Sequence, residues 1–248
     1  MDLRSLLEAY KDGVISVDEA ERTLRLDYVD SIGNDVLFDK ARELRKGIPE
    51  VVYAYSKTPE VVGRIAASRK SLTIISKADD EHLAAVRDAV PDAEIHEDCG
   101  IAIIGRMPEK VRGKIGIITA GTSDVPVAKE AQFMAEAMGV ECIVEYDVGV
   151  AGIHRIITPM HRMIEEDVDA IVVAAGMEGA LPTVITSLSP VPVIGVPVSS
   201  GYGMGGNGEA ALMSILQSCS PGLTVVNIDN GIGAGATAAL ISVSGRRR

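Results

Sequence analysis

The chain has 248 residues, 47% of them apolar and 24% charged, so it can bury a core without disulfides or a structural metal. Its net charge of −11 argues against a nucleic-acid partner, although backbone N–H groups at a helix start can still receive a small anion. Three widely spaced cysteines (Cys99, Cys142 and Cys219) speak against a disulfide framework or a zinc site and for a reducing compartment.

No apolar window reaches the roughly 18 residues of a membrane span. Met1 to Tyr10 mixes polar and apolar residues, unlike a secretory leader, so a cytoplasmic protein is expected. Trp is absent and Phe occurs twice, which is little aromatic surface for stacking a flavin or bases.

In chain order, residues 5–10 read as a short helix broken at Asp12-Gly13. Ser16-Val17-Asp18-Glu19 has the pattern of a capping box opening a second helix. Residues 1–46 are therefore expected to form an N-terminal helical segment with a docking or assembly role. After Gly47-Ile48-Pro49 the pattern changes. A strand is expected over 50–55, a helix over 59–68, a strand over 72–76, a helix over 80–90 and a strand over 101–105, giving a small βαβαβ domain over 47–112. The charged stretch 106–113, with its Pro and Gly, marks the boundary.

Residues 113–248 are more regular. Short apolar runs without alternation at 115–119, 142–146, 170–174, 192–196 and 223–228 suit strands buried on both faces. Helical patterns at 125–138, 153–166, 181–188, 209–217 and 233–241 separate them. An α/β fold follows: a flavodoxin-like, doubly wound, five-stranded parallel sheet preceded by a smaller α/β domain. Such sheets bind ligands at the carboxyl ends of their strands. That rule nominates the loops 120–124, 147–152, 176–179 and 198–206, all rich in Gly, Ser or carboxylates.

Gly121 permits a tight turn, and Thr122 and Ser123 offer hydroxyls beside free N–H groups at a helix start, a combination suited to phosphate. Ser123 or Asp124 could equally serve only as a helix cap. Arg155 is suited to gripping a phosphate, and His154 beside it to acid–base work or a structural hydrogen bond. Glu178 fits a general base or a charge at a helix start. Asp147, Gly176, Ser199 and Ser200 complete the candidate substrate-binding set.

Cys219 lies among polar residues in a turn after a helix, unlike an inert core thiol. Two physical objections attach to it. A helix C-terminus disfavours a thiolate, and the turn belongs at the far edge of its own sheet from the strand ends. Cys219 can then reach ligand only in a neighbouring subunit's site. Cys142 reads as core, and Cys99, though its neighbours are polar, lies at no expected ligand-binding strand end.

Gly121-Thr122-Ser123-Asp124 resembles the Gly-Ser-x-Ser-Asp loop of the aminoimidazole ribonucleotide carboxylase/mutase family, and Gly152-Ile153-His154-Arg155 resembles its Ser-Ala-His-Arg segment. The stretches 175–182 and 192–198 and the turn at Gln217 follow in the same order, covering about half the chain. Ala180 stands where that family has a histidine before Leu-Pro, and the family has no matching first half. With Cys219 and Glu178, these departures resemble the pyridinium-3,5-biscarboxylic acid mononucleotide synthase family (LarB) of nickel-pincer cofactor synthesis. The runs 46–52, 57–60 and 219–231 are similar to that family as well.

The resemblance implies carboxylation of nicotinic acid adenine dinucleotide with hydrolysis of its phosphoanhydride to release AMP. CO2 or bicarbonate would be co-substrate, with no tightly bound cofactor. It implies Cys219 as nucleophile, Glu178 as base and His154 as a positioning or proton-moving group. Thr122, Ser123 and Asp124 would hold a phosphate or the ring carboxylate. Mg2+ among Asp124, Asp147 and Glu178 would assist the hydrolysis, though no metal motif is present. It also implies a compact homo-octamer with sites at subunit interfaces. Rival readings are a purine-pathway carboxylase or mutase and a non-catalytic nucleotide- or flavin-binding module.

Overall fold

The computed structural model describes residues 3–20, 29–32, 36–39, 47–69 and 71–245. Helix α1 spans Leu3–Lys11. The capping box at Ser16 forms: the Glu19 N–H donates to Ser16 Oγ at 3.1 Å, and Glu19 Oε2 accepts the Ser16 N–H at 2.9 Å. The continuation of that helix falls in 21–28, outside the described residues. The segment expected to be helical also holds an antiparallel strand pair, β1 (Val29–Ile32) and β2 (Val36–Asp39).

The N-terminal domain comprises β3 (Glu50–Tyr53), α2 (Pro59–Ser68), β4 (Thr73–Ser76), α3 (Asp80–Ala89), β5 (Glu94–His96) and β6 (Ile101–Ile104). Its sheet has the order β3-β4-β6-β5, with β3 and β4 parallel and β6 antiparallel to both β4 and β5. The expected βαβαβ unit is thus corrected. Its third strand is β5, and β6 turns back into the slot between β4 and β5. Glu94-Ile95-His96 is too short and polar to show a strand pattern, whereas the apolar, fully buried β6 does. Gly100 makes the reversal at φ 63°, where a Cβ would lie 2.5 Å from the Ala78 carbonyl oxygen.

The C-terminal domain comprises β7 (Lys114–Thr119), α4 (Val125–Ala137), β8 (Glu141–Glu145), α5 (Ile157–Glu165), β9 (Ile171–Ala175), α6 (Ala180–Leu188), β10 (Val193–Pro197), α7 (Glu209–Leu216), β11 (Leu223–Val225) and α8 (Gly231–Gly245). Every pairing is parallel and the order is β11-β10-β9-β7-β8, the flavodoxin-like arrangement read from the sequence. Two elements differ from expectation. The helix expected over 153–166 begins instead within a 3-10 segment, Val150–Ile156, kinked at Gly152 (φ −132°, ψ 74°), and becomes α-helical only in α5. Strand β11 ends at Val225, after which the chain bends towards Asp229 at φ 56°.

Both faces of this sheet are covered, and all five residues of β9 and of β10 are buried. Met160, Met163, Leu181 and Ile185 of α5 and α6 pack on one face. On the other, Ala131 and Met134 of α4 and Ala234 and Ala238 of α8 join Ile115 and Ile117 in a core that also takes in Ile74, Ile101 and Ile103 of the N-terminal sheet. The pair α4–α8 is therefore shared between the two domains. Each fully buried Ile there contributes roughly 2–3 kcal/mol. Helix α8 approaches so closely because of its glycines: a Cβ on Gly235 would lie 2.2 Å from the Ala131 carbonyl oxygen.

Candidate active site

The parallel sheet delivers all five carboxyl ends to one edge, and its loops are tied together there. Thr119 Oγ1, at the end of β7, accepts the Asp147 N–H at 3.1 Å, joining the loops after β7 and β8. Asp124 is 3% exposed. Its Oδ2 accepts the Gly121 N–H at 2.9 Å, and its Oδ1 accepts the Ser200 hydroxyl at 2.8 Å. Gly176 makes this possible, since a Cβ there would lie 2.5 Å from Ser200 Oγ and 3.3 Å from Asp124 Oδ1. The loops after β7, β9 and β10 thus converge on one buried carboxyl. Burial pushes the Asp124 carboxyl above its ordinary value, against the hydrogen bonds from Gly121, Ser200 and Gly176, and the charge of Asp229 pushes the same way.

Asp229 is a site residue that sequence reasoning missed. Its Oδ1 accepts the Ser199 N–H at 2.9 Å, and its own N–H donates to the Pro197 carbonyl at 2.9 Å. The strand-end rule, applied also to the fifth strand, would have found it. Among the described residues, Asp147, Met177, Asn207 and Asp229 adopt left-handed backbone conformations in these loops. Such conformations persist in non-glycine residues where the surroundings impose them, a pattern common at functional sites.

A second knot surrounds Arg155. Its Nη1 donates to the Asp147 carbonyl at 3.0 Å and to Asp147 Oδ2 at 3.2 Å, and its Nη2 donates to the Gly149 carbonyl at 3.2 Å. The guanidinium braces the loop 147–152. Thr122, Ser123, His154, Glu178, Ser199 and Ser200 are exposed along the same edge. The hydroxyls can donate to phosphate or carboxylate oxygens, and the imidazole and carboxylate can move protons. Asp124 has a different part from the anion-binding one expected. It faces Gly121 and Ser200 and fixes the loops, and an ionised carboxylate would repel an anion.

The residues present do not fit the expected Mg2+. Among the described residues no group of three or more His, Cys, Asp and Glu could hold a metal ion. Both Asp124 oxygens are engaged, and Asp147 is paired with Arg155. Asp124, Asp147 and Glu178 do not assemble into a cation site within this chain.

Cys219 is exposed in the turn between α7 and β11. In the same turn the Ser220 hydroxyl donates to the Thr183 carbonyl at 3.3 Å, and the Gly222 carbonyl accepts from the Val193 N–H at 3.0 Å, where β10 begins. The turn therefore sits at the amino edge of the sheet, opposite the strand-end loops. The other thiols are quenched by their surroundings: burial pushes Cys99 up to about 12 and raises Cys142 as well.

Comparison with known proteins accounts for both halves of the chain. Residues 114–247 match the family described as AIR carboxylase, and residues 31–106 match the LarB/PurE-like N-terminal domain. The chain belongs to the AIR carboxylase family, in the form that carries a LarB/PurE-like N-terminal domain. It is similar to the uncharacterized protein MJ0165 of Methanocaldococcus jannaschii, with 44% identity over 97% of each chain. It is also 35% identical to the N5-carboxyaminoimidazole ribonucleotide mutase of Pyrococcus abyssi, over 52% of this chain and 71% of that protein. The mutase of Thermotoga maritima matches at 35% over 52% of this chain and 74% of its own. The chain thereby falls in a family of carboxylase-type enzymes. No helix among the described residues is long and apolar enough to cross a membrane.

Proposed function

We propose that the protein carboxylates the pyridinium ring of nicotinic acid adenine dinucleotide and hydrolyses its phosphoanhydride, giving pyridinium-3,5-biscarboxylic acid mononucleotide and AMP. The observation that carries the reading is the exposed Cys219, set against two buried or half-buried thiols and joined to a LarB/PurE-like N-terminal domain. Ala180, standing where the mutase-type relatives of the resemblance have a histidine, favours it over purine-pathway chemistry.

The chemistry balances with these side chains. The Cys219 thiolate adds to ring C4, and the ring nitrogen gains the electron pair of a neutral dihydropyridine. The C5–C6 enamine attacks CO2, forming a C5–carbon bond and an iminium. Glu178 takes the C5 proton and the enamine returns. The C4–sulfur bond then breaks, the thiolate leaves, and the pyridinium is restored with a second carboxylate. The cationic ring favours the thiolate, which offsets the unfavourable helix end. His154 orients CO2 or relays the proton, and Thr122 and Ser123 hold a phosphate or the ring carboxylate.

Cys219 and Glu178 lie at opposite edges of one sheet, so the reading requires a second subunit to bring them together, in an octamer with sites at interfaces. The exposed apolar side chains of Ile153, Met177, Tyr202 and Met204 beside the strand-end loops support such a contact. An active monomer in analytical ultracentrifugation would end this part of the proposal.

The test of the reaction is product analysis by mass spectrometry. Protein is incubated with nicotinic acid adenine dinucleotide and bicarbonate, with and without Mg2+, beside Cys219→Ala. A dicarboxylated pyridinium mononucleotide and AMP are expected from the wild type and not from the variant. Turnover of carboxylated aminoimidazole ribonucleotide by both proteins would instead place the chain in purine synthesis and make Cys219 structural.

A further inference from the structure

One buried polar group near the strand-end loops has no part in the chemistry above. Glu130, on the inner side of α4, is 2% exposed. Its Oε1 receives two donors from the N-terminal domain, the Ser76 hydroxyl at 3.0 Å and Lys77 Nζ at 2.9 Å. Its Oε2 is buried with no hydrogen-bond partner among the described residues. A buried carboxylate left half-satisfied is costly and calls for an explanation.

Its surroundings supply one. The first residue of α8 rests on it: a Cβ on Gly231 would lie 2.7 Å from Glu130 Cβ and 3.0 Å from its Oε2. Two residues earlier, Asp229 holds the Ser199 N–H, and the neighbouring Ser200 hydroxyl holds Asp124. Asp229 acts on both buried carboxyls, since its charge disfavours ionisation of Glu130 as well as of Asp124. Glu130, Asp229 and Asp124 thus form a run of acidic groups under the loops, and among the described residues Lys77 is the cation paired with Glu130. Lys77 comes from the other domain, in a left-handed conformation at φ 57° just past β4, and its side chain is 31% exposed. From that position its ammonium reaches Glu130 across the domain boundary.

We propose that Lys77 is a positioning residue of the strand-end site: by offsetting the charge of Glu130 beneath Gly231 it keeps the 227–231 turn closed, so that Asp229 holds the Ser199–Ser200 loop in place. The inference rests on the strand-end loops being the substrate site. It gives the N-terminal domain a definite task, which is to supply the positive charge that the acidic floor of the neighbouring domain lacks. The mechanism is electrostatic and local. Opening of the 227–231 turn lets water reach Glu130, so any uncompensated charge there favours the open state.

The test is amide hydrogen exchange on the full-length protein without substrate, so its outcome does not depend on which reaction the enzyme performs. Peptides covering 197–203 and 227–232 are followed by mass spectrometry at about pH 8, where a buried carboxylate without its cation is most penalised. A peptide from β9 serves as internal control. Lys77→Met is expected to speed exchange in both loop peptides about tenfold and to leave β9 unchanged. Lys77→Arg, which keeps the charge, should stay close to wild type. The double variant Lys77→Met/Glu130→Gln, which removes both charges and keeps the Ser76 bond to an amide oxygen, should also return to within about threefold of wild type. The double variant leaves no lone buried charge, so it keeps the test open if Lys77→Met alone folds poorly. Unchanged loop exchange in Lys77→Met, an equal rise in β9, or a double variant as perturbed as the single one would each overturn the proposal.

Discussion

In the C-terminal sheet all five strands run one way, whereas in the N-terminal sheet β6 runs against both β4 and β5. Parallel strands must send every carboxyl end, with its loop, to the same edge, and there Gly121, Asp124, Asp147, Gly176, Ser199, Ser200 and Asp229 are knotted together. The mixed sheet divides its loops between two edges and gathers no comparable set. One of its edges nonetheless takes part: Ser76, the last residue of β4, and Lys77, just past it, reach Glu130 on α4, a helix that begins directly after Asp124. Strand direction decides which domain gathers the candidate site, and the shared helix pair carries the contact with the other.

The contrast can be broken most forcefully at the shared helices. Gly235→Ala should gain about 1 kcal/mol from helix propensity if α8 were free. Its Cβ would instead lie 2.2 Å from the carbonyl oxygen and 2.8 Å from the Cα of Ala131, backbone that cannot yield easily. Net destabilisation of about 2–3 kcal/mol is expected in urea unfolding, felt by both domains. A stabilised variant would mean that α4 and α8 do not touch as described.

A more local break lies at Gly176. The methyl of Gly176→Ala displaces the Ser200 hydroxyl from Asp124. The lost bond should cost about 1 kcal/mol of stability. Turnover should fall roughly tenfold or more under the proposal that this loop carries the site. Equal activity with equal stability would show that the convergence on Asp124 is idle.

The smallest effect is one of slope with pH. Asp124 is held above its ordinary value of 3.8, chiefly by burial, so the folded protein retains this proton where the unfolded chain has lost it. Stability therefore falls as pH rises through the window beginning near 3.8, and the penalty is complete above the raised value. Asp124→Asn removes the dependence. The difference in melting temperature, variant minus wild type, should shift towards the variant as pH rises through that window and then level off. A difference constant across the window would place the carboxyl in water.

Much of the C-terminal domain was legible in the sequence. Buried parallel strands appear as apolar runs, and glycine and hydroxyl residues mark the places where they end, so strand order and four of the loops could be read from 113–248. The sites of failure have physical reasons. The three-residue β5 has no room for a pattern, and its polar Glu94 and His96 look like loop. The apolar spacing of 153–166 suggested one helix, but its first turn belongs to a tighter 3-10 segment kinked at Gly152, so His154 and Arg155 sit on a 3-10 turn. Two of the three carboxylates expected to share a cation, Asp124 and Asp147, carry no sign in the sequence that Gly121, Ser200 and Arg155 would occupy them first.

The sequence by itself determined the two-domain α/β plan, the parallel order of the second sheet, the loops at its carboxyl edge and the placement of Cys219 at the other edge. These follow from local periodicity and from the handedness of crossovers, which act within a few tens of residues. The tertiary structure alone decided that Asp124 is buried, that Asp229 steadies Ser199, and that Glu130 meets Lys77 from another domain. Burial and charge compensation depend on which distant residues arrive within hydrogen-bond reach. Packing sets those distances, and no spacing along the chain records them.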